Sequence, residues 1–493
     1  MVGEETGLVQ LGDLLGGERA TNGVDITGLT ADSRAVEPGF LFAALEGTKT
    51  DGRDFIPDAL DKGAAAILAA PGRALDVGDA ALVLDTNPRR RFAQMAACYY
   101  GRQPDVVVAV TGTNGKTSVA SFTRQIWQAI GARAGSVGTL GVHSQALTWP
   151  AGLTTPDPVA LHKALAQLAE AGVGHVAVEA SSHGLAQYRL DAVRLSAAAF
   201  TNLTRDHFDY HGSVEAYLYA KARLFGELLP PGGTAVSNLD GAFGREMDNL
   251  AWARGLRRIS VGRAEDAAIR IVAQEPRFDG QQLAVAFDGR RYDVHLPLIG
   301  GFQAENALVA AGLVIATGGM AEAAFTALER LSGVPGRLER VGVTPAGGAV
   351  YVDYAHTPDG LETVLEAART HAQGKLGVVF GCGGDRDRGK RPEMGAIAAQ
   401  LADTVVVTDD NPRSEDPAAI RREILIACPE ATEIGDRGQA ITATVAGLGA
   451  GDVLVVAGKG HEEGQLVGDR VLPFSDLDAV ADAIARLGEE TRR

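Results

Sequence analysis

Residues 112–118 read Gly-Thr-Asn-Gly-Lys-Thr-Ser and follow directly on an apolar run at 106–110. A strand that runs into a glycine loop and then Lys-Thr is a phosphate cradle. The glycines allow a tight turn that aims backbone N–H groups inward, Lys116 reaches the β- and γ-phosphates, and the Thr117 hydroxyl ligates Mg²⁺. Gly112, Thr113, Asn114, Gly115, Lys116, Thr117 and Ser118 are therefore the expected nucleotide contacts, and a nucleoside triphosphate is the expected energy source. The loop departs from the common pattern, which has a glycine five residues before Gly115. Val110 stands there instead.

Further chemistry lies downstream. The apolar run at 175–178 ends in Glu179-Ala180-Ser181-Ser182-His183-Gly184. A phosphate-loop protein keeps its second metal ligand at the end of such a neighbouring strand, so Glu179 is the candidate. The bland reading is a surface carboxylate. The segment 201–212 packs Asp206, His207, Asp209 and His211 into six residues. Mg²⁺ prefers oxygen ligands, and histidines suggest zinc, but no cysteine accompanies them and the spacing fits no common zinc pattern. His207 is read as a ligand in a mixed Mg²⁺ site, with Asp206 and Asp209 supporting it. The alternative is a hydrogen-bonded turn leading into a helix at 214–225. Composition alone makes Lys221, inside that helix, an ordinary exposed lysine.

These residues need elements to position them. A chain of 493 residues has room for about three domains. Its 46 basic and 62 acidic residues give a net charge of −16, which argues against a broad nucleic-acid-binding face. No apolar run is long enough to span a membrane. The N-terminus lacks the basic and apolar stretches of a signal peptide. Cys98, Cys382 and Cys428 are too dispersed for a disulfide framework or a zinc site and are expected to be buried thiols. A cytoplasmic protein is expected. Turn residues at 102–105 and 333–336 suggest domains at 1–103, 104–333 and 334–493. From 104 to 333, apolar strands alternate with amphipathic helices. This is the pattern of an α/β fold with a mostly parallel sheet covered on both faces.

The last third repeats the alternation. Strand-like runs at 349–352, 376–380, 404–407 and 453–456 each lead into polar or glycine-rich residues: 353–356, 383–387, 409–413 and 458–462. Loops at the carboxyl ends of parallel strands line one crevice. Four such loops, carrying arginines and carboxylates, suit a charged, zwitterionic ligand. The alternative is ordinary solvated turns.

The loop at 112–118, the cluster Asp206-His207-Phe208-Asp209-Tyr210-His211 and the loop Asp353-Tyr354-Ala355-His356 together resemble the Mur ligases, ATP-dependent amide-forming enzymes of peptidoglycan precursor synthesis. The resemblance covers essentially the whole chain. It implies a shortened phosphate loop, which accounts for Val110. It also implies three domains: a UDP-binding α/β domain, a central ATPase, and a Rossmann-like C-terminal domain. Asp32-Ser33-Arg34, Glu179–Leu185 and Asp410-Asn411-Pro412-Arg413 point to the branch that adds meso-diaminopimelate to UDP-N-acetylmuramoyl-L-alanyl-D-glutamate. Lysine-adding members usually lack that arginine. A guanidinium binds the second carboxylate of diaminopimelate through two parallel hydrogen bonds, and it opposes the ammonium that lysine carries instead.

By the same resemblance, Ser33 contacts the uridine side, and Thr154, Thr155, Ser181, Gln187 and Arg189 contact the muramoyl-peptide. Arg386, Asp410, Asn411, Pro412, Arg413, Gly458 and Glu462 contact diaminopimelate. Asn306 and Arg337 contact ATP. Lys221 matches a carbamylated lysine that helps hold Mg²⁺ with Thr117, Glu179 and His207, and Lys116, Lys221 and His207 form the catalytic set. Gln303 stands where the family usually has asparagine, and Leu153 where an Asn-Thr-Thr motif is common. A monomer using ATP and Mg²⁺ is expected. The rivals are a lysine-adding or folylpolyglutamate-type ligase and, from another class, a nucleotide-driven switch. Thr117 replaces the glycine of folate-type loops, and a switch needs no set of polar strand-end loops in a separate domain.

Overall fold

The computed structural model describes residues 8–17, 23–47, 50–150, 152–204, 208–277 and 279–490. The chain forms two compact units, Met1–Ala268 with Val309–Ala324, and Ile269–Leu308 with Phe325–Arg493.

The first unit begins with a small α/β module. Strands Gly28–Thr30, Phe40–Ala44, Ala66–Ala69 and Ala81–Leu84 pair in parallel in that order. The helix Pro88–Tyr100 starts on the Asn87 cap with proline at its first position, and it ends where Gly101 takes φ +68°. Phe92, Met95 and Ala96 lie one helical turn apart and share a core with Leu29, Leu41 and Leu68. Cys98, on the same helix, is exposed, whereas Cys382 and Cys428 are buried. The expectation of three buried thiols thus fails at Cys98, which sits off the apolar stripe.

The larger sheet of this unit runs Thr148–Trp149, Gly141–Ser144, Ala134–Gly138, His175–Glu179, Val106–Thr111, Leu195–Phe200, Thr234–Asn238, Arg257–Gly262. From Ala134–Gly138 onward every pairing is parallel. The central strands are almost wholly buried, as their unbroken Val/Ala runs require. Register sets the site. Glu179 pairs with Val110, and Phe200 pairs with Thr111. Three strands therefore release their chains side by side, into the phosphate loop, the Glu179 turn and the segment from Thr201. The helix expected at 214–225 is α-helical over Val214–Arg223 and widens to a π turn at Leu224–Leu228, where Leu224 and Phe225 are fully buried.

The second unit contains an antiparallel meander of Ile269–Arg277, Gly280–Phe287 and Arg290–Leu296. Strand–helix alternation was expected here. Asp288-Gly289, both at positive φ (49° and 71°), makes the two-residue hairpin turn that excludes a crossover helix. The six-stranded sheet of this unit runs Glu339–Val343, Ala349–Asp353, Val453–Ala457, Leu376–Phe380, Thr404–Val407, Thr432–Glu433 and is parallel except at Glu339–Val343. Buried residues on its two faces form separate cores, one around Leu361, Leu365 and Met394 and the other around Ile441, Val445 and Val480. The fold is α/β.

Candidate active site

Val110 and Thr111 are still paired in the sheet, so the turn can begin only at Gly112. This is the physical reason for the shortened loop. A β-carbon at Gly112 would lie 1.8 Å from Thr201 Oγ1, and Gly115 takes φ +86° as it caps the helix Lys116–Ala129. The loop is clamped by the segment after Leu195–Phe200. Thr113 N donates to Asn202 O (2.8 Å), Asn114 N donates to Asn202 Oδ1 (3.0 Å), and Thr201 Oγ1 donates to Asn114 O (2.6 Å). Not every loop N–H faces inward, then. Backbone phosphate binding falls to the start of the helix, whose first turn has no acceptor one turn earlier.

Lys116 Nζ folds back on Gly112 O (2.9 Å) and Thr113 O (2.7 Å). Lys221 is not the exposed lysine that composition suggests: it is 1% exposed, lies over the Tyr217 ring, and donates to the same Gly112 O at 2.7 Å. Two ammonium groups meeting at one carbonyl concentrate positive charge beside the loop, where an anion is favoured. Glu179 is 2% exposed, and its Oε2 accepts from Thr117 Oγ1 at 2.9 Å. Its Oε1 accepts from Thr139 N (2.8 Å), and a β-carbon at Gly138 would lie 2.0 Å from that oxygen. The pair of oxygen donors, one in the first turn of the helix Lys116–Ala129 and one at a neighbouring strand end, suits Mg²⁺ completed by phosphate and water. His207 and Asp206 lie outside the described residues, and so does the side chain of Asp209. Among the described residues, no three His, Cys, Asp or Glu side chains gather as a metal site.

A second layer adjoins this one. Thr139 Oγ1 reaches Thr154 Oγ1 (3.1 Å), Thr155 Oγ1 donates to Glu179 O (2.7 Å), and Ser181 Oγ donates to Thr155 Oγ1 (3.1 Å). Ser181 also caps the helix Ser182–Ala186. Arg189 donates to Thr155 O and to Gln187 Oε1, each at 2.7 Å, and Gln187 Nε2 meets Tyr210 OH at 3.1 Å. Gln187 and Arg189 line a cleft of about 530 Å³ together with Thr30, Asp32, Arg89, Phe92, Tyr100, Asp157 and Lys163. Its wall carries three cations against two carboxylates, and two aromatic rings, a lining with a net positive charge and flat faces. Ser33 follows Asp32, which caps the turn Ser33–Ala35 by accepting from Arg34 N at 2.9 Å.

In the second unit the four polar strand-end loops do converge. Asn411 Nδ2 donates to Glu462 Oε2 (3.0 Å), and Arg413 Nη1 donates to Gly384 O (2.8 Å). Tyr354 and His461 are 5.4 Å apart, ring to ring. Arg413 takes φ +52°, a conformation that side chains other than glycine rarely adopt. Gly458 takes φ +120°, and a β-carbon there would lie 2.7 Å from Asp410 Oδ2. Pro412 O packs against Gly384, where a β-carbon would lie 2.0 Å away. Arg386 is exposed, and its Nη1 donates to the carbonyl of Asp385 at 3.4 Å. Asn306 and Arg337 are joined through Gln303, which accepts from Asn306 Nδ2 (3.3 Å) and donates to Arg337 O (3.1 Å). Arg337 stacks on Tyr354. Burial pushes the Asp353 carboxyl up to about 6, against the pull of Arg337 and of the Ala355 and Leu338 N–H groups.

Sequence reading assigned no role to Thr139, Asn202, Tyr217 or Lys459. Thr139 follows a strand end as Glu179 does, and Lys459 is flanked by glycines in a strand-end loop. Those were the available signals. Nothing in the sequence around Asn202 or Tyr217 tells that they meet the phosphate loop, where Tyr217 OH lies 3.0 Å from Thr113 Oγ1.

Three family descriptions match in succession: Mur ligase family, catalytic domain, over residues 25–107; Mur ligase middle domain, over 110–314; and Mur ligase, glutamate ligase domain, over 336–460. The chain is 54% identical over 479 residues to the UDP-N-acetylmuramoyl-L-alanyl-D-glutamate--2,6-diaminopimelate ligase of Rhizobium meliloti (strain 1021), covering 97% of this chain and 98% of that protein. It is 55% identical over 482 residues to the protein of the same name from Caulobacter vibrioides (strain ATCC 19089 / CIP 103742 / CB 15), covering 96% and 98%. A solved structure of a UDP-N-acetylmuramoyl-L-alanyl-D-glutamate--2,6-diaminopimelate ligase superposes with a TM-score of 0.73 at 33% identity, covering 98% of this chain and 100% of the other.

Proposed function

We infer the reaction from one premise: this chain belongs to the Mur ligase family. It is an ATP-dependent ligase that joins meso-diaminopimelate by an amide bond to UDP-N-acetylmuramoyl-L-alanyl-D-glutamate in peptidoglycan precursor synthesis, releasing ADP and phosphate. The free glutamyl carboxylate attacks the γ-phosphorus of ATP, and the bond to ADP breaks. This replaces oxide, a poor leaving group, with phosphate. An amino group of diaminopimelate then attacks the acyl carbon, phosphate departs with the bonding electrons, and the nitrogen loses its proton.

In this reading Lys116 and the helix start at Lys116 hold the phosphates and stabilise the charge that develops on them. Thr117, Glu179 and a carbamylated Lys221, with His207, would hold Mg²⁺. The oxygen donors of Thr117 and Glu179, 2.9 Å apart and buried, fit that ion. When bound, it neutralises charge on the phosphoryl oxygens. The cleft at Gln187 and Arg189 takes the UDP-muramoyl-dipeptide. Asn306 and Arg337 take part of the nucleotide. The division into 1–103, 104–333 and 334–493 assigns one substrate mainly to each domain, and the family matches at 25–107, 110–314 and 336–460 support it. Action as a cytoplasmic monomer belongs to the same reading.

The observation that carries the choice of amino acid is Arg413. Its guanidinium is tied by one nitrogen to Gly384 O, within the loop cluster that holds Asn411 and Glu462. The test is to incubate the protein with ATP, Mg²⁺ and UDP-N-acetylmuramoyl-L-alanyl-D-glutamate, adding meso-diaminopimelate or lysine, and to weigh the product. A diaminopimelate adduct formed with ADP is expected. A lysine adduct as main product, or ATP turnover that needs neither acceptor, would overturn the reading.

A further inference from the structure

Lys459 is 0% exposed, an unusual state for a lysine, and its charge has not been taken up by the mechanism above. It follows the strand Val453–Ala457 between two glycines at positive φ, Gly458 and Gly460. Its ammonium has three N–H groups and three acceptors: Gly464 O at 2.6 Å, Asn411 Oδ1 at 3.2 Å and Glu462 Oε2 at 3.2 Å. None of these lies on a strand of the parallel sheet. Two are side chains of the amino-acid pocket. The third opens the hairpin Gly464–Val467 with Arg470–Pro473, which closes over the Arg413 loop. That hairpin is stitched to the loop by Arg413 N to Leu466 O (3.0 Å), Gly468 N to Arg413 O (2.8 Å) and Gln465 Nε2 to Asp410 O (2.6 Å).

We propose that Lys459 is a positioning residue for the amino-acid substrate, fixing how Asn411 and Glu462 present themselves to it. The proposal rests on the diaminopimelate reading of the pocket. Asn411 Oδ1 receives both Lys459 Nζ and Leu466 N (2.9 Å), so its amide has one orientation: turning it over would set NH₂ against two donors. That orientation sends Nδ2 to Glu462 Oε2. With Oε2 taken by Asn411 and Lys459, and Oε1 bonded to none of the described residues, Oε1 of Glu462 is the oxygen left to receive a substrate ammonium. The buried ammonium also offsets the Asp410 and Glu462 carboxylates, which would otherwise repel an incoming acid. Loss of the charge therefore weakens a substrate with two carboxylates more than one with a single carboxylate.

Lys459→Met removes charge and donors. Lys459→Gln removes charge but keeps an NH₂ that serves two of the acceptors. With ATP and the UDP-dipeptide saturating, KM for meso-diaminopimelate rises about tenfold or more in both variants, on the order of one charge-assisted hydrogen bond. By the same estimate kcat stays within about threefold and the KM values for ATP and the UDP-dipeptide within about twofold, while preference over lysine shrinks. A variant that unfolds cooperatively yet keeps the parent KM for diaminopimelate overturns the proposal. So does a parallel rise in all three KM values, which marks general loosening, or failure of both variants to fold, which marks a folding residue. If the parent itself makes no diaminopimelate adduct, the function reading fails instead, and the two failures are distinct.

Discussion

Replacing Arg413 removes the group that distinguishes diaminopimelate from lysine, and the structure sets the size of the effect. The backbone at Arg413 is held at φ +52° by the Leu466 and Gly468 hydrogen bonds, and Nη1 is bonded to Gly384 O (2.8 Å) and Asn411 O (3.4 Å). The guanidinium is thus aimed before substrate arrives, so little rotamer entropy remains to be lost. Among the described residues no acceptor bonds the edge formed by Nε and Nη2, and that edge has the fork geometry a carboxylate accepts. A hydrogen bond to a charged group contributes about 1.5–3 kcal/mol, so losing a partly additive pair removes roughly 3 kcal/mol, or about 150-fold in kcat/KM for diaminopimelate. Arg413→Ala should show that loss, while kcat/KM for lysine stays level or rises, because a facing like charge has gone. Arg413→Gly is the better-folded companion, since glycine adopts positive φ without strain. Gly383→Ala is a finer probe: its β-carbon would lie 2.7 Å from Arg413 Nη1, so it shifts the guanidinium without deleting it and should give an intermediate loss. The assay is competition between equimolar diaminopimelate and lysine, read by mass spectrometry of the products alongside ADP release. A kcat/KM for diaminopimelate within threefold of the parent, or equal losses for both amino acids, would refute the reasoning and make Arg413 a scaffold residue.

Lys221→Ala should lower kcat by about 10²–10³ while leaving ADP affinity within a few-fold by calorimetry, because its carbamate would help hold the Mg²⁺ that neutralises the transferring phosphoryl; near-normal turnover removes its metal role. Asp476→Asn breaks a buried ion pair in which Arg437 reaches both carboxylate oxygens, at 2.6 and 2.7 Å. About 3–5 kcal/mol of stability should be lost in urea unfolding, and a change under about 1 kcal/mol would show that the pair is better solvated than its burial implies. Asp353, raised from 3.8 to about 6, keeps in the folded state a proton that the unfolded chain has already lost over that interval. Its contribution to stability is therefore greatest at low pH, falls by about 3 kcal/mol as pH rises to 6, and is level above. Relative to the parent, Asp353→Asn should gain stability across that window in pH-dependent unfolding; a constant offset at every pH would contradict the assignment.

Much of the fold was legible because the strands carry their own signature. The runs at 376–380 and 404–407 are the strands Leu376–Phe380 and Thr404–Val407, and the others extend by one or two residues at their ends. Buried parallel strands must be continuous Val, Ile, Leu and Ala, and they must hand over to polar loops at their ends, so pattern alone finds them. The meander at 269–296 was missed because its strands mix charged and apolar residues, with the Asp-Gly pairs at 279–280 and 288–289 the hairpin marks. Cys98 was misread because burial depends on which face of Pro88–Tyr100 meets the core, not on residue type.

By itself the sequence determined the chemistry available. A glycine loop with Lys116 and Thr117 can only be a phosphate cradle of this kind, because few residue types combine tight turning, a mobile cation and a small hydroxyl. The loop at Asp410–Arg413 likewise carries its selectivity in the one residue able to grip a carboxylate with two parallel bonds. Tertiary structure decided which of these groups meet. Parallel register put Glu179 beside Thr117, 62 residues away, and helix packing buried Lys221 against Gly112 O across 109 residues. The burial of Lys459 against Asn411 and Glu462 belongs to the same class. Such contacts depend on strand order and on the summed packing of remote segments, which no local spacing encodes. The energetic consequence is large, since a charge buried beside its partners behaves unlike the same residue in water.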